Sequence, residues 1–307
     1  MKALVTGGAG FIGSNVVKFL IEKGWEIRVI DNLSTGSKDN LNGLDIDFIN
    51  GDICNEKTAL EVCENIDVVF HLAACVGRQK SIDHPQLDSQ INLLGTINIL
   101  EGMRKKGVKR IIYSSSAAIF GELIETSIDE DHPQNANSPY GVSKLAAEKM
   151  ILSYSEIYDI TAICLRYFNI YGENQRFDLY GNVIPIFAKR IFSKEPVTIY
   201  GDGEQTRDFV NVKDVARANY LAAVSNVETQ VINLGSGTSI TINKLLDIMK
   251  GISTVKVLVE NQPMRAGDVR DCKANINKAY SLLKFDAQIE LNEGLKEYMF
   301  WYRENCL

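Results

Sequence analysis

No C-x-x-C pair occurs among the six cysteines, Cys54, Cys63, Cys75, Cys164, Cys272 and Cys306. They are scattered through apolar or mixed surroundings, which argues against a structural zinc site and for reduced thiols. Histidine is scarcer still. His71, His84 and His132 lack zinc-ligand spacing, so no metal is expected, and His71 closes the run "DVVFHLAA" as a packed strand-end residue. No apolar stretch approaches the roughly 20 residues of a membrane-crossing helix. Net charge is −6 with no basic cluster, so the electrostatic footprint of a nucleic-acid binder is missing. An anionic ligand must therefore be held by local features. Internal repeats and low-complexity linkers are absent too. The N-terminus "MKALVTGGAG" runs straight into a strand and a glycine turn, without signal-peptide character; a cytoplasmic protein is expected.

What is present is a chain of 307 residues, 45% hydrophobic and 23% charged, the composition of a soluble globular protein with a substantial core. Its first half alternates β-type runs with helical patterns. "KALVTG", "EIRVIDN", "IDFINGD", "DVVFHLAA", "KRIIYSSS" and "TAICLRYFNIYG" read as strands. "FIGSNVVKFLIEKG", "NEKTALEVCEN", "PQLDSQINLLGTINILEGMRKKG" and "SPYGVSKLAAEKMILSYSEIY" read as helices. Nearly continuous apolar strands separated by amphipathic helices predict an α/β fold, a doubly wound parallel sheet covered on both faces. After about residue 170 the rhythm loosens. "GNVIPIFAKRIFSK" looks helical, "VTIYGDGEQTRDFV" is turn-rich, and "VKVLVE" with two helical segments suits a smaller lobe. The reading is a dinucleotide domain over 1–170, to which a late strand at 231–235 and the helix before it return, and a smaller interleaved α/β lobe over 171–307.

"VTGGAGFIGS" sets Gly7, Gly10 and Gly13 between the first strand and the first helix. A pyrophosphate there needs bare backbone and the positive end of a helix, which glycine and a helix N-terminus supply. The spacing is G-x-x-G-x-x-G, a departure from the standard G-x-G-x-x-G fingerprint. The second strand ends in Asp31, 24 residues after Gly7, where a carboxylate accepts hydrogen bonds from ribose hydroxyls and repels a 2′-phosphate. With no arginine immediately after it, NAD is expected rather than NADP. Asp52, in "GDI", is placed near the adenine.

"SPYGVSK" puts Tyr140 and Lys144 four apart at the start of a helix, a spacing common on helix faces for no chemical reason. The surroundings give it meaning. Strand five ends in Ser114, Ser115 and Ser116, and ligands of doubly wound sheets sit beyond the strands' carboxyl ends. A free tyrosine, with a pKa of about 10, is a poor base at neutral pH. A lysine ammonium beside it, together with an oxidised nicotinamide, favours the phenolate, and a serine hydroxyl can orient a substrate oxygen and relay its proton.

In order along the chain, "TGGAGFIGS", "DNLSTG", "GDI", "HLAA", "SSSAAIFG", "SPYGVSK", "LRYFNIYG", "GDGEQTRDFV", "NLGSG" and "RAGDV" resemble the extended short-chain dehydrogenase/reductases, specifically the UDP-hexose 4-epimerases. The resemblance implies a Rossmann domain with tightly bound NAD. It implies Tyr140 as base, Lys144 as electrostatic partner and cofactor-ribose ligand, and Ser116 as the adjoining hydroxyl. The implied cofactor contacts are Gly7, Gly10, Phe11, Ile12, Gly13, Asp31, Asn32, Ser34, Gly36, Asp52, Ile53, Leu72, Ala73, Ala74, Asn92, Ser114, Tyr140, Lys144 and Tyr167. For the substrate, Arg207 and Arg265 suit a diphosphate through forked hydrogen bonds. The resemblance adds Asp268 at the uridine ribose, Tyr200 on uracil, Asn182 and Val183 along the diphosphate and base, and Asn169 at a phosphate or sugar.

Two departures bear on chemistry. Related dehydratases carry Asp-Glu directly after the strand-five hydroxyl residue, and decarboxylases carry Glu at the second position; this chain has Ala117 and Ala118, which exchange no proton. Phe120 stands where many relatives have tyrosine. Cys272 matches the family position that limits sugar size, and its small side chain implies acceptance of N-acetylated sugars as well as UDP-glucose and UDP-galactose. The resemblance also implies a homodimer through the helices at about 85–106 and 138–158. Rival readings are a UDP-uronic acid 4-epimerase, a nucleotide-sugar reductase, and a dinucleotide-sensing regulator.

Overall fold

β-branched and other apolar residues bounded by glycine turns build the strands. The computed structural model describes residues 1–121, 123, 125, 127–177, 181–264 and 270–307. Its strands are β1 (Lys2–Thr6), β2 (Glu26–Asp31), β3 (Asp47–Asn50), β4 (Val68–His71), β5 (Arg110–Ser116), β6 (Thr161–Tyr167), β7 (Asn169–Tyr171), β8 (Val197–Tyr200), β9 (Thr206–Arg207), β10 (Phe209–Asn211), β11 (Gln230–Leu234), β12 (Ile240–Thr241) and β13 (Val259–Gln262). The helices are α1 (Phe11–Glu22), α2 (Glu56–Val62), α3 (Arg78–Asp83), α4 (Pro85–Ser89), α5 (Gly95–Lys106), α6 (Pro139–Tyr158), α7 (Val183–Phe192), α8 (Val212–Val224), α9 (Ile242–Ser253), α10 (Asn277–Leu283) and α11 (Leu291–Cys306).

Seven strands form one sheet in the order β11-β6-β5-β4-β1-β2-β3, with every pairing parallel. Successive side chains on a strand point to opposite faces, and both faces are buried. Val5, Val29, Phe70, Ile112 and Ile163 pack with Val16 and Leu20 of α1 and Val215 and Ala222 of α8. Leu4, Ile30, Val69, Ile111 and Cys164 pack with Ile99 and Met103 of α5 and Ala147 and Ile151 of α6. Burial on both sides is why these strands read as almost unbroken apolar runs. Strand order reverses between β1 and β4, and a ligand crevice opens beyond the carboxyl ends there. A third buried cluster, from α7, α9, α11 and β8, lies outside the seven-stranded sheet, within the segment expected to form the smaller lobe. No helix among the described residues is long and apolar enough to cross a membrane.

Three segments differ from the sequence expectation. The helix expected over 85–107 is interrupted by a widened π-type turn at Gln90–Leu94, a feature that shifts the helical face by one residue and sits where buried Asn92 meets its partners. "TAICLRYFNIYG" divides at Phe168, whose N–H donates to the Leu234 carbonyl (3.0 Å). β7 then leaves the sheet to pair with β10. In "VKVLVE" pairing begins only at Val259, where β13 runs beside β8 as an exposed edge.

Candidate active site

The glycine turn is built by steric exclusion. Gly7 leaves β1 with φ +69°, and a Cβ on it would stand 2.8 Å from the Ala73 backbone. Gly13 packs the first turn of α1 onto the loop itself, where a Cβ would lie 2.1 Å from the Gly7 carbonyl oxygen. Gly10 is the extended N-cap of α1, and no side chain caps the helix, so its positive end is open to an anion. Gly36 lets the loop after β2 lie on Ala9, where a Cβ would approach the Ala9 backbone to 2.8 Å. This bare cradle at a helix terminus fits a dinucleotide pyrophosphate.

Carboxylates organise the region expected to receive the adenosine. Asp31 accepts the Ala9 N–H (2.9 Å) on one oxygen and the Leu33 N–H (2.8 Å) on the other, tying β2 to the glycine turn. Each oxygen keeps a further lone pair for a ribose hydroxyl. Asn32 accepts the Ser34 N–H (3.0 Å) and donates to Asp52 (3.0 Å), which also accepts the Cys54 N–H (2.8 Å). Burial pushes the Asp52 carboxyl up, but the hydrogen bonds from Cys54 and Asn32 outweigh it and leave it below its ordinary value. Ile53 is buried beside it.

At the end of β4, His71 acts as a neutral spacer. The N–H groups of Leu72 and Ala73 both donate to the Thr6 hydroxyl oxygen (3.1 Å each), so the Thr6 proton goes to His71 Nδ1 (2.8 Å). The Thr96 hydroxyl donates to the Asn92 carbonyl (2.6 Å) and accepts from His71 Nε2 (2.9 Å). This fixes the Nε2–H tautomer. Burial, then the charge of Lys144, drives the ring's pKa down to about 3. The relay sets the position of Leu72 and Ala73.

β5 and α6 bring the residues expected to be catalytic together. Ser138 caps α6 by accepting the Gly141 N–H (3.2 Å), with Pro139 in the first turn. Gly141 allows the helix to approach the short turn after β5, where a Cβ would lie 2.4 Å from the Ala118 carbonyl oxygen. Ser116 lies in that turn, its oxygen accepting the Ala118 N–H (3.2 Å), and its hydroxyl hydrogen-bonds the Tyr140 phenol. Burial pushes that phenol up to about 12 while the Ser116 bond pulls it down. Lys144, buried one turn further on, has its ammonium 4.3 Å from the centre of the Tyr113 ring. Burial brings it down to about 7, opposed first by Asp88. Ser114 donates to the His71 carbonyl (3.1 Å) and Ser115 to Glu148 (2.6 Å), so only the third serine reaches the tyrosine.

The remaining expected contacts divide. Tyr167 turns its phenol to Asn219 of α8 (3.0 Å), leaving only its main chain for a cofactor. Asn182 is the extended N-cap of α7 with its side chain making no cap bond, and Val183 opens that helix. Asn169 donates to the Asp208 carbonyl (3.1 Å), Tyr200 ends β8, and Arg207 donates to the Thr206 carbonyl (2.7 Å). Cys272 packs against the buried cluster of Ile119, Phe120, Ile128, Phe168 and Ala274, and burial pushes its thiol up against Arg207, which lowers it. Phe120 is fully buried between His132 and the Arg166 guanidinium. Arg265 and Asp268 lie outside the described residues.

Sequence reasoning missed several buried groups around the site. Glu148 takes both forks of Arg166 (2.7 and 3.1 Å). Asp208 accepts from the N–H groups of Ser236, Gly237 and Ala274 (2.7, 3.1 and 3.0 Å), stapling β10 to the loop after β11. Asp88 is buried beside Asn92. Glu148 had a signal, four residues after Lys144 on the same helix face; Asp88 and Asp208 had none.

The family model described as the NAD dependent epimerase/dehydratase family matches residues 3–235. The chain is 41% identical over 305 residues to a putative UDP-glucose 4-epimerase of Methanocaldococcus jannaschii, covering 98% of each chain. Among solved structures, a UDP-glucose 4-epimerase of Thermotoga maritima with UDP-glucose superposes with TM-score 0.95 at 37% identity, covering 100% of both chains. A UDP-N-acetylglucosamine 4-epimerase of Methanobrevibacter ruminantium, in complex with UDP-N-acetylmuramic acid, gives TM-score 0.94 at 34% identity over 99% of this chain and 98% of that one.

Proposed function

The chain belongs to the NAD dependent epimerase/dehydratase family, and from that premise we propose that it is an isomerase inverting carbon 4 of UDP-hexoses, both UDP-glucose/UDP-galactose and their N-acetylated counterparts. The observation that carries this reading is the meeting of Ser116 with Tyr140, one turn from Lys144, at a site where Ala117 and Ala118 offer no acid for elimination or decarboxylation.

The glycine turn and the α1 terminus hold the cofactor diphosphate, and Asp31 holds its ribose. When bound, the oxidised nicotinamide supplies a reversible hydride acceptor and a positive charge. Tyr140 takes the proton of the sugar 4-hydroxyl, Ser116 orients that oxygen, and the Lys144 ammonium favours the phenolate. Loss of the C4 hydride to that acceptor, with the proton going to Tyr140, would leave a 4-keto sugar, which turns about its link to the diphosphate. Return of hydride to the other face of carbon 4, with the proton from Tyr140 to the oxygen, would invert carbon 4 without net redox change. Residues 171–307, apart from α8 and β11, hold the nucleotide, with Arg207 and the uncapped α7 terminus at the diphosphate.

The test is product analysis across UDP-glucose, UDP-N-acetylglucosamine and UDP-glucuronic acid, without added reductant. Interconversion of C4 epimers of the first two is expected. Turnover of the uronic acid alone would transfer the reading to a uronate epimerase, and accumulation of reduced cofactor would replace it with a dehydrogenase. The small side chain of Cys272, packed against the same buried cluster as Ala117 and Leu145, supports the proposed tolerance of N-acetyl groups. Cys272→Tyr is expected to lower kcat/KM for UDP-N-acetylglucosamine about 10- to 200-fold relative to UDP-glucose, the range for a pocket losing a substituent's space. Equal loss of both, or of neither, removes the gate.

A homodimer is part of the same proposal. Leu87, Leu94, Val142 and Ile157 are exposed on α4, the widened turn and α6, an apolar set that pairing would cover. Sedimentation velocity is expected to give a dimer, and a monomer at micromolar concentration rules this interface out.

A further inference from the structure

Asp88 on α4 has no exposed surface, and a buried carboxylate is retained where a charge or hydrogen bonds oppose its desolvation. One oxygen accepts from Asn92 Nδ2 (3.1 Å); the other has no hydrogen-bond partner. The widened turn aims Asn92 inward, where its two amide N–H groups are shared among Asp88, the Cys75 carbonyl and Ser143 Oγ (3.0 Å to each of the last two). Ser143 donates in turn to the Tyr140 carbonyl (3.0 Å). A polar chain therefore runs from Asp88 to the main chain of Tyr140, and Ser143 immediately precedes Lys144.

We propose, on the reading of Tyr140 and Lys144 given above, that Asp88 is a positioning residue: the buried anion that keeps Lys144 charged while fixing Asn92 and the start of α6 around it.

Of the other groups around Lys144, Glu148 also favours its charge but less than Asp88 does, and the Tyr140 phenol is pushed up by burial and stays protonated before the cofactor acts. Glu148, one turn along α6, is committed to Arg166 (2.7 and 3.1 Å) and Ser115 (2.6 Å). His71 from β4 is neutral by its tautomer. The thiol of Cys164 from β6 and the phenol of Tyr113 from β5 are pushed up by burial and stay neutral. Cys75 in the loop after β4 is likewise raised, and the charges of Lys80 on α3 and of Asp88 both bear on it. Burial raises the Asp88 carboxyl, against Ser143, Asn92 and Lys144, which lower it. Burial lowers Lys144 and Asp88 is the first of the groups that oppose it, so removing that anion leaves the desolvation of the ammonium less opposed.

The test is NMR titration of the NAD-loaded protein carrying 13Cε-lysine, without substrate, with Lys144→Met assigning the resonance. Asp88→Asn keeps an oxygen for Asn92 but removes the charge. Its Lys144 midpoint is expected to fall by about one pH unit or more, the effect of losing a nearby opposite charge, with the alkaline limb of kcat/KM moving the same way and Asp88→Glu restoring both. An unchanged midpoint with lowered activity would mark Asp88 as structural and overturn the proposal. Should Asp88→Asn not fold, 13Cγ-aspartate spectra of the wild type decide. An ionised Asp88 at pH 8, with its midpoint raised in Lys144→Met, supports the proposal, and a carboxyl still protonated at pH 9 overturns it. Since the titration needs no turnover, a shifted midpoint without any epimerisation would leave this assignment standing and reject only the catalytic reading.

Discussion

Tyr140→Phe is expected to lower UDP-hexose turnover by about 10²- to 10⁴-fold, the contribution of a positioned general base, while NAD remains bound. The substitution deletes one oxygen and keeps the ring that packs at the start of α6. That oxygen is the one hydrogen-bonded by Ser116, and no other titratable group in the turn after β5 can replace it, since Ala117 and Ala118 follow directly. Burial alone pushes the phenol up to about 12, so its function as a base at neutral pH depends on positive charge from Lys144 and the cofactor. Cofactor retention follows from topology. The diphosphate cradle belongs to β1 and α1, and the Asp31 carboxylate to β2, several strands from α6. Initial rates with UDP-glucose, together with the NAD content of the denatured protein, decide the matter. Near-normal turnover refutes the role of Tyr140, and loss of NAD would assign it to cofactor binding instead.

The second large effect is on stability. Glu148→Gln is expected to cost about 3–5 kcal/mol, the range for breaking a buried ion pair from one side, and to lower Tm by on the order of 5–15 °C. Arg166 and Glu148 are 1% and 0% exposed. The carboxylate bonds both forks of the guanidinium and Ser115, while Arg166 Nη1 donates to the Glu130 carbonyl (2.8 Å). A neutral amide at 148 leaves the guanidinium buried without its counter-charge, and it can accept only part of those bonds. A Glu148→Met/Arg166→Met double variant removes both charges and is expected to recover most of the loss. Thermal unfolding of the three proteins measures the difference. A double variant as unstable as Glu148→Gln would mean that the cost arises from packing, with no stranded charge involved.

Much of the cofactor half of the site was legible in the sequence, and for a local reason. The glycine turn, Asp31 at a strand end, and Tyr140 one helical turn before Lys144 are patterns within one strand–turn–helix unit, where steric rules and helix periodicity govern. The expected substrate contacts rest on resemblance alone, because Asn169, Tyr200, Arg207 and Cys272 come from separate segments with no shared periodicity. The phenol of Tyr167 illustrates the limit. A tyrosine at the end of β6 reads equally well as a cofactor contact or a packing group, and its bond to Asn219 on α8 depends on a helix some fifty residues later.

The sequence by itself determined the doubly wound sheet, the dinucleotide turn, the preference for a free ribose, and the tyrosine–lysine pair, since each is set by residues close together along the chain. Tertiary structure alone decided that Ser116 and not its two neighbours meets Tyr140, through the close approach of Gly141 to Ala118. It also decided that β6 breaks at Phe168, that Cys272 packs against the buried cluster around Phe120 and Phe168, and that Asp88, Glu148 and Lys144 are all buried. The physical reason is desolvation. Whether a charge is exposed or stranded in the interior depends on which distant segments cover it, and that cover exists only once the sheet and its helices have assembled.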